Sequence, residues 1–403
     1  MKSSIIAVII ITGVVCLALK IAYRARSKRD QKGEPQTFVI PHEIVGKAIG
    51  KLTADKIVDE LKNVKKIVIP NTVTSLGKNV FAYSSMTSVE IPNSVTSIGK
   101  GAFYGCQNLT SVEIPNSVTS IGKKAFWYCK NLTSVEIPNS ITSIGKEAFS
   151  YCENLTSVVI PESVTSIGKG AFSACGKLKT IKTASSNPNF QTIDGVLFTK
   201  DGKTLIAVPG GKEGKYAIPN SVTSIGDGAF AWFVSLTSVV IPESVTSIGE
   251  RAFSCCMSLT SVEIPNSITS IGKGAFACCK SLTTAVIPNS VRSIRKEAFE
   301  YCESMTSVVI PESVTFIGKS AFNSCTNLTS VVIPKSVTTI RECAFCGCRS
   351  LRRVVIPDSV TSIGWKAFWC CNSLTSAEIP ADVKLGEDAF PVPCRVVRRY
   401  PAQ

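Results

Sequence analysis

Ile-Pro dipeptides recur at a fixed interval through this 403-residue chain, and the interval constrains the fold more than any other feature. Prolines stand at Pro92, Pro115, Pro138 and Pro161, then at Pro219, Pro242, Pro265, Pro288, Pro311, Pro334, Pro357 and Pro380, 23 residues apart within each run; Pro70 precedes the first run by 22. Length alone would suggest two or three globular domains. A fixed period of this size instead means one small unit stacked about fourteen times, growing along one axis without needing a larger core.

One unit runs Leu109-Thr-Ser-Val112-Glu-Ile114-Pro115-Asn-Ser-Val118-Thr-Ser-Ile121-Gly122-Lys-Lys-Ala125-Phe126-Trp-Tyr-Cys129. Its opening alternation reads as a strand, with Val112 and Ile114 inward and Ser111 and Glu113 outward. Pro115 ends that strand, because proline has no amide hydrogen to give a ladder. Val118 and Ile121 mark a second, short extended stretch. The Ala125-Phe126 pair, with Cys129 three residues on, suggests one helical turn closing the coil. Such a unit offers about eight inward side chains, each contributing roughly 1.5–3 kcal/mol when buried. That is too little for a core of its own, so each unit depends on the neighbour that covers it.

This pattern resembles the BspA-like leucine-rich repeats, also called the Treponema pallidum type, found in surface proteins of bacteria and some protists. The resemblance runs from about Lys66 to Phe390. The expected fold is a β-rich repeat solenoid, a leucine-rich-repeat-like right-handed coil of 23-residue units, with short helical turns on the convex side and an inserted β-hairpin. Ordinary leucine-rich repeats carry an asparagine after the strand. The matching column here is Ser94, Ser117, Ser140, Ser163, Ser221 and onward, a hydroxyl ladder suited to buried backbone groups at the turn.

The expected organisation is a membrane anchor or signal segment with a basic linker (1–35), an N-terminal cap with a short helix (36–65), and a first repeat block (66–183). An inserted β-hairpin module (184–214), a second repeat block (215–390) and a basic tail (391–403) follow. In the cap, Thr53 begins an amphipathic helix over 54–62 whose Ile57, Val58 and Leu61 face the stack. In the insert, two Asp-Gly turns, Asp194-Gly195 and Asp201-Gly202, punctuate the chain, and 196–199 with 204–208 reads as a hairpin projecting from the solenoid. The tail presents Arg395, Arg398 and Arg399. Arg295 and Arg341 replace the glycine that elsewhere follows the second-strand Ile, so that position does not demand a positive φ.

Residues Ile5 to Leu19 are almost uninterrupted hydrocarbon and, with Ile21 to Tyr23, just reach the length of a membrane span. A cleaved signal peptide would want a basic front and a small-residue cleavage site. A lipoprotein reading would use Cys16, but Val15 before it is too bulky. An uncleaved anchor suits the sequence best, and an ordinary buried helix suits it least. The basic flank Lys20, Arg24, Arg26, Lys28 and Arg29 would then remain in the cytoplasm and keep the repeats there.

Composition and motifs argue against chemistry. A single histidine, His42, limits acid–base and zinc catalysis, and no Ser or Cys stands beside a positioned base. Neither a cofactor nor a metal is expected. Ten of the seventeen cysteines (Cys106, Cys129, Cys152, Cys175, Cys256, Cys279, Cys302, Cys325, Cys348 and Cys371) share one column and read as small buried hydrophobes. Cys343-Ala-Phe-Cys346 has paired-ligand spacing but no second pair to complete a zinc site. The formal charge of +15 favours acidic partners or anionic membranes. Without arginines interleaved with aromatics, nucleic acid is not an expected partner.

Two outward columns carry the binding clues. The position before the Ile-Pro pair reads Glu90, Glu113, Glu136 and Val159, then Val240, Glu263, Val286, Val309, Val332, Val355 and Glu378. The four consecutive valines from Val286 to Val355, with Arg352 and Arg353 beside them, form a candidate strip for a protein ligand on the concave sheet. The plainer reading is that β-branched residues favour strands. Lys78, Lys100, Lys123, Lys146, Lys169, Lys273, Lys296 and Lys319 form a ridge that suits solubility and edge protection, or docking to anionic glycans or lipid headgroups. Asn108, Asn131, Asn154 and Asn327 are glycosylation sequons relevant only in a eukaryotic secretory pathway. The resemblance implies a non-enzymatic surface adhesion or recognition protein binding proteins of a host or neighbouring cell. The anchor's charge bias implies a cytoplasm-facing, membrane-tethered scaffold instead.

Overall fold

The computed structural model describes residues 37–39 (backbone only), 64–212 and 214–400, in two compact units that divide after Phe172. The hydrophobic segment at 5–23, His42 and the expected cap helix at 54–62 lie outside the described residues. Among the described residues no helix is long and apolar enough to cross a membrane.

Each unit is a stack of β-coils, about fourteen coils of roughly 23 residues across both. In the first unit, the coil from Leu109 to Cys129 buries all eight expected side chains: Leu109, Val112, Ile114, Val118, Ile121, Ala125, Phe126 and Cys129. Its first strand, Ser111–Glu113, pairs in parallel with Ser134–Glu136, and its second, Ser120–Ile121, with Ser97–Ile98 and Ser143–Ile144. The register is one period, so each residue lies beside its own equivalent and identical side chains stack. Phenylalanine shows this best. Phe103, Phe126 and Phe149 stack at 5.0 and 5.2 Å between centroids in the first unit. In the second unit the rings run from Phe230 to Phe390 in the same way.

Polar columns bind the coils where the apolar ones cannot. The serine ladder is present: Ser117 Oγ donates to Val95 O at 2.6 Å, Ser140 to Val118 at 2.6 Å and Ser267 to Val245 at 2.5 Å. A threonine ladder that sequence reading did not pick out runs beside it, with Thr119 Oγ1 donating to Thr96 O at 3.3 Å and Thr142 to Thr119 at 3.2 Å. The column cysteines are more than small hydrophobes. Cys129 Sγ donates to Phe103 O at 3.1 Å and Cys279 Sγ to Phe253 O at 3.1 Å, each reaching the preceding coil.

The expected helical turn does not form, and among the described residues there is no helix at all. A helix would commit every amide to its own segment, whereas here alternate amides leave it. Lys124, Phe126 and Tyr128 donate to Lys146, Ala148 and Ser150 in the next coil at 2.8–2.9 Å. Ala125, Trp127 and Cys129 fold back three residues to Gly122, Lys124 and Phe126. This chain of tight turns needs a left-handed residue at two places per coil, here Lys124 (φ 57) and Tyr128 (φ 64). Glycine takes the first place at Gly101 and Gly274 and the second at Gly105 and Gly347, where it removes the steric cost of that conformation.

The glycine after the second-strand Ile serves a different purpose. Gly122 has no positive φ, but a Cβ there would lie 2.6 Å from the Gly99 carbonyl carbon. Close approach of coils is therefore what excludes a side chain. Where arginine intrudes, the coils yield: the amide bond to the preceding coil is 2.8 Å at Gly122, Gly145 and Gly318, but 3.1 Å at Arg295 and 3.4 Å at Arg341.

The insert in the second unit is a three-stranded meander, not a two-stranded projection. Phe190–Ile193 pairs antiparallel with Val196–Thr199, which pairs antiparallel with Thr204–Ala207. Asp194 and Gly195 both have positive φ, as the connecting type I′ turn requires. Val196, Phe198 and Leu205 belong to the unit's core, and Thr204–Ala207 pairs in parallel with Ser224–Ile225. The meander thus occupies the place of a coil's second strand. The basic tail is likewise built in: Arg395–Arg399 pairs in parallel with Ser376–Pro380.

Candidate protein-binding surface

Alternation along the first strands of the second unit turns Val308, Val331 and Val354 into the core and their successors outward. Val286, Val309, Val332 and Val355 are 60, 76, 73 and 39 % exposed. Val309 lies beside Val332 in the ladder, Val286 beside Glu263, and Val355 beside Glu378. The structure therefore brings the four valines of the sequence reading onto one outward column.

Arg353 shares the face of Val355, and its guanidinium pairs with Glu378. Arg352 precedes the strand and is exposed. A shallow groove at this end is lined by Val332, Val355, Pro357, Arg353 and Arg399. Arg399, from the C-terminal strand, binds Asp358 at 2.9 Å and the Ile356 carbonyl. Sequence reading missed this residue's part, because its partners lie about forty residues away and only the pairing of the last strand brings them together. The groove thus has an apolar floor, with Arg353 and Arg399 held in ion pairs at its walls.

The equivalent face of the first unit is polar. Glu90, Glu113 and Glu136 line a groove with Asn71, Asn93, Asn116 and Asn139. Lys66 reaches Glu90 at 2.5 Å. The asparagine column was visible in the sequence only as part of the repeat.

The lysine ridge is a mixed ladder. Lys146 pairs with Glu147, Lys296 with Glu297 and Lys319 with Glu342. Such pairing weakens the field an anionic surface would feel. On the tight-turn side, the first unit gathers Tyr83, Tyr104, Trp127, Tyr128 and Tyr151 into a partly exposed aromatic cluster. Lys124 and Lys130 lie over the Trp127 and Tyr128 rings.

Among the described residues no group of three or more His, Cys, Asp or Glu is disposed to hold a metal ion. Burial pushes the Cys106, Cys279 and Cys325 thiols up to about 12, so these column cysteines are poor nucleophiles.

Comparison with known proteins agrees with the coil. The BspA type Leucine rich repeat region, in six copies, matches residues 74–201, 214–329 and 315–392. A leucine-rich repeat protein from Eubacterium ventriosum is 26% identical, covers 83% of this chain and 88% of its own, and superposes with a TM-score of 0.66. A leucine rich cell surface protein from Faecalibacterium prausnitzii is 31% identical over 74% of this chain and 87% of its own, with a TM-score of 0.60. The pneumococcal vaccine antigen PcpA, 20% identical with a TM-score of 0.53 over 84% of this chain and 80% of its own, shares the fold. No curated protein sequence matches the chain. With the repeat region matched over most of its length, the chain belongs to the BspA-type leucine-rich repeat family.

Proposed function

We propose that this chain is a non-enzymatic, membrane-anchored recognition protein that displays its repeats at the cell surface and binds a protein partner on the valine column of the second unit. The observation that carries the reading is the run Val286, Val309, Val332 and Val355, apolar and outward in successive coils. Exposed apolar strips rimmed by polar residues mark interaction sites. The rim here is Arg352, Arg353 with Glu378, and Arg399 with Asp358. The similar protein from Faecalibacterium prausnitzii is described as a cell surface protein, which favours the outside location.

A second reading, the cytoplasm-facing tethered scaffold, is favoured by the five basic residues that follow the apolar segment at 5–19. Protease shaving of intact cells of the native source, read with an antibody to the C-terminal residues, separates the two. Loss of signal on intact cells places the repeats outside; protection until lysis places them inside and ends the adhesion reading. For the strip itself, the full chain and its Val309→Glu/Val332→Glu variant are compared for binding to intact host or neighbouring cells at equal folded content. At least a tenfold weakening is expected, and unchanged binding would remove the valine column from the interface.

A further inference from the structure

We propose that Cys255 and Cys278 form an oxidant-responsive dithiol that closes to a disulfide stapling two successive coils of the second unit. Both occupy the left-handed turn position before a column cysteine, with φ 60 and 59, so their Cα–Cβ bonds run parallel in adjacent coils. The Cys255 amide donates to Ala277 O at 2.7 Å, and that of Cys278 to Glu300 O at 2.7 Å. Such bonding holds neighbouring chains about 4.8 Å apart. A disulfide spans Cα separations of about 4.4–6.8 Å. Ser254 Oγ lies 3.6 Å from the Cys255 sulfur.

The neighbouring column thiols differ. Cys256 and Cys279 are enclosed, and each directs its S–H at a phenylalanine carbonyl, 3.2 and 3.1 Å away. Cys278 is only half-buried. Flanking coils carry Trp232 and Tyr301 at the same position, so the paired thiols are confined to these two coils. Interaction with Cys278 holds the Cys255 thiol below its usual range, while interaction with Cys255, and then burial, raises that of Cys278. Cys255 is therefore the more readily ionised of the two.

The oxidant is a peroxide. The Cys255 thiolate attacks one oxygen of hydrogen peroxide, the O–O bond breaks, and the departing hydroxide takes up a proton as water. Cys255 is now a sulfenic acid. The Cys278 sulfur, giving up its proton, attacks the Cys255 sulfur, the S–O bond breaks, and a second water leaves. Two thiols and one peroxide thus give one disulfide and two waters.

The full chain is treated with hydrogen peroxide, its remaining thiols are alkylated, and it is digested with trypsin without reduction. Peptides 252–273 and 274–280 should appear linked, with fragmentation placing the bond at Cys255–Cys278. In Cys278→Ser the link should vanish and Cys255 should react with dimedone as a sulfenic acid. In Cys256→Ala the link should persist. Fragments placing the bond at Cys256–Cys279, or a wild-type chain that keeps Cys255 and Cys278 alkylatable while exposed Cys370 oxidises, would overturn the proposal.

Discussion

On the same outward column the first unit carries Glu90, Glu113 and Glu136 before Val159, while the second carries Val286, Val309, Val332 and Val355 in succession between Glu263 and Glu378. On the tight-turn side Tyr128 and Tyr151 of the first unit stand where the second places Cys255, Cys278 and Cys370, along with Trp232 and Tyr301. Inward columns change little between units, Met305 for leucine and Ala285 for valine being among the few exchanges. Leucine, valine, isoleucine, alanine, phenylalanine and cysteine hold their places, because a stack in one-period register accepts only side chains that fit beside their own copies. Outward columns feel no such demand. They are therefore free to serve something other than the coil.

The largest expected effect is on the core itself and comes from alkali. Burial raises the thiols of Cys106 and Cys129 in the first unit, and of Cys256, Cys279, Cys302, Cys325 and Cys348 in the second. Cys106, Cys279 and Cys325 are pushed up to about 12. An unfolded thiol loses its proton near pH 8.5, so above that pH the folded state binds more protons and stability falls as pH rises. The stabilisation is whole below about pH 8.5 and drains away toward the folded value, at roughly 1.4 kcal/mol per thiol per pH unit. The second unit strings five such thiols through successive coils, from Cys256 to Cys348, and should open first. Pulse alkylation with peptide mapping at stepped pH should label Cys256 to Cys348 before Cys106 and Cys129. Simultaneous labelling would mean that the thiol columns do not set the alkaline limit.

Next in size is the phenylalanine column. Phe276 is flanked by stacked rings at 5.2 and 5.4 Å, and Phe126 by rings at 5.0 and 5.2 Å. Truncation of either to alanine should cost about 3–5 kcal/mol, as large core deletions do. Urea unfolding of the two variants should give losses equal within about 0.5 kcal/mol if inward columns are interchangeable between units. A large inequality would break the claim that only the outward columns have diverged.

How much of this was legible in the sequence follows from the range of each interaction. Eight inward residues per coil, the serine ladder and the outward valines follow from the period, because in one-period register the neighbour of each residue is its own equivalent. The helical turn was misread because Ala-Phe-x-x-Cys spacing suits a helical turn and a chain of three-residue turns equally. The choice lies in where the amides of Lys124, Phe126 and Tyr128 go, and they go to another coil. Phe190–Ile193 was unassigned because four residues without apolar alternation carry no strand signal; its antiparallel partner supplies it. The groove at Val332 and Val355 was half visible. The valines and Arg353 could be read from the repeat, whereas Arg399 enters only through the pairing of the last strand.

The smallest predicted effect asks whether the acidic column of the first unit opposes the fold that carries it. Glu113 lies directly beside Glu136 in the parallel ladder, and both are exposed. Like charges facing each other across strands destabilise by about 0.2–1 kcal/mol, and valine suits a strand better than glutamate. Glu113→Val should therefore raise the stability of the first unit by about 0.5–1 kcal/mol at low ionic strength. The gain should shrink in high salt, where the repulsion it removes is already screened. Urea midpoints at the two salt concentrations measure both quantities. A salt-dependent gain would mean that the glutamates are kept at a cost to the stack, as a face that meets a partner would be. A loss on substitution would assign them a local structural part beside the asparagines of the same groove, and the contrast between the two faces would no longer speak for recognition.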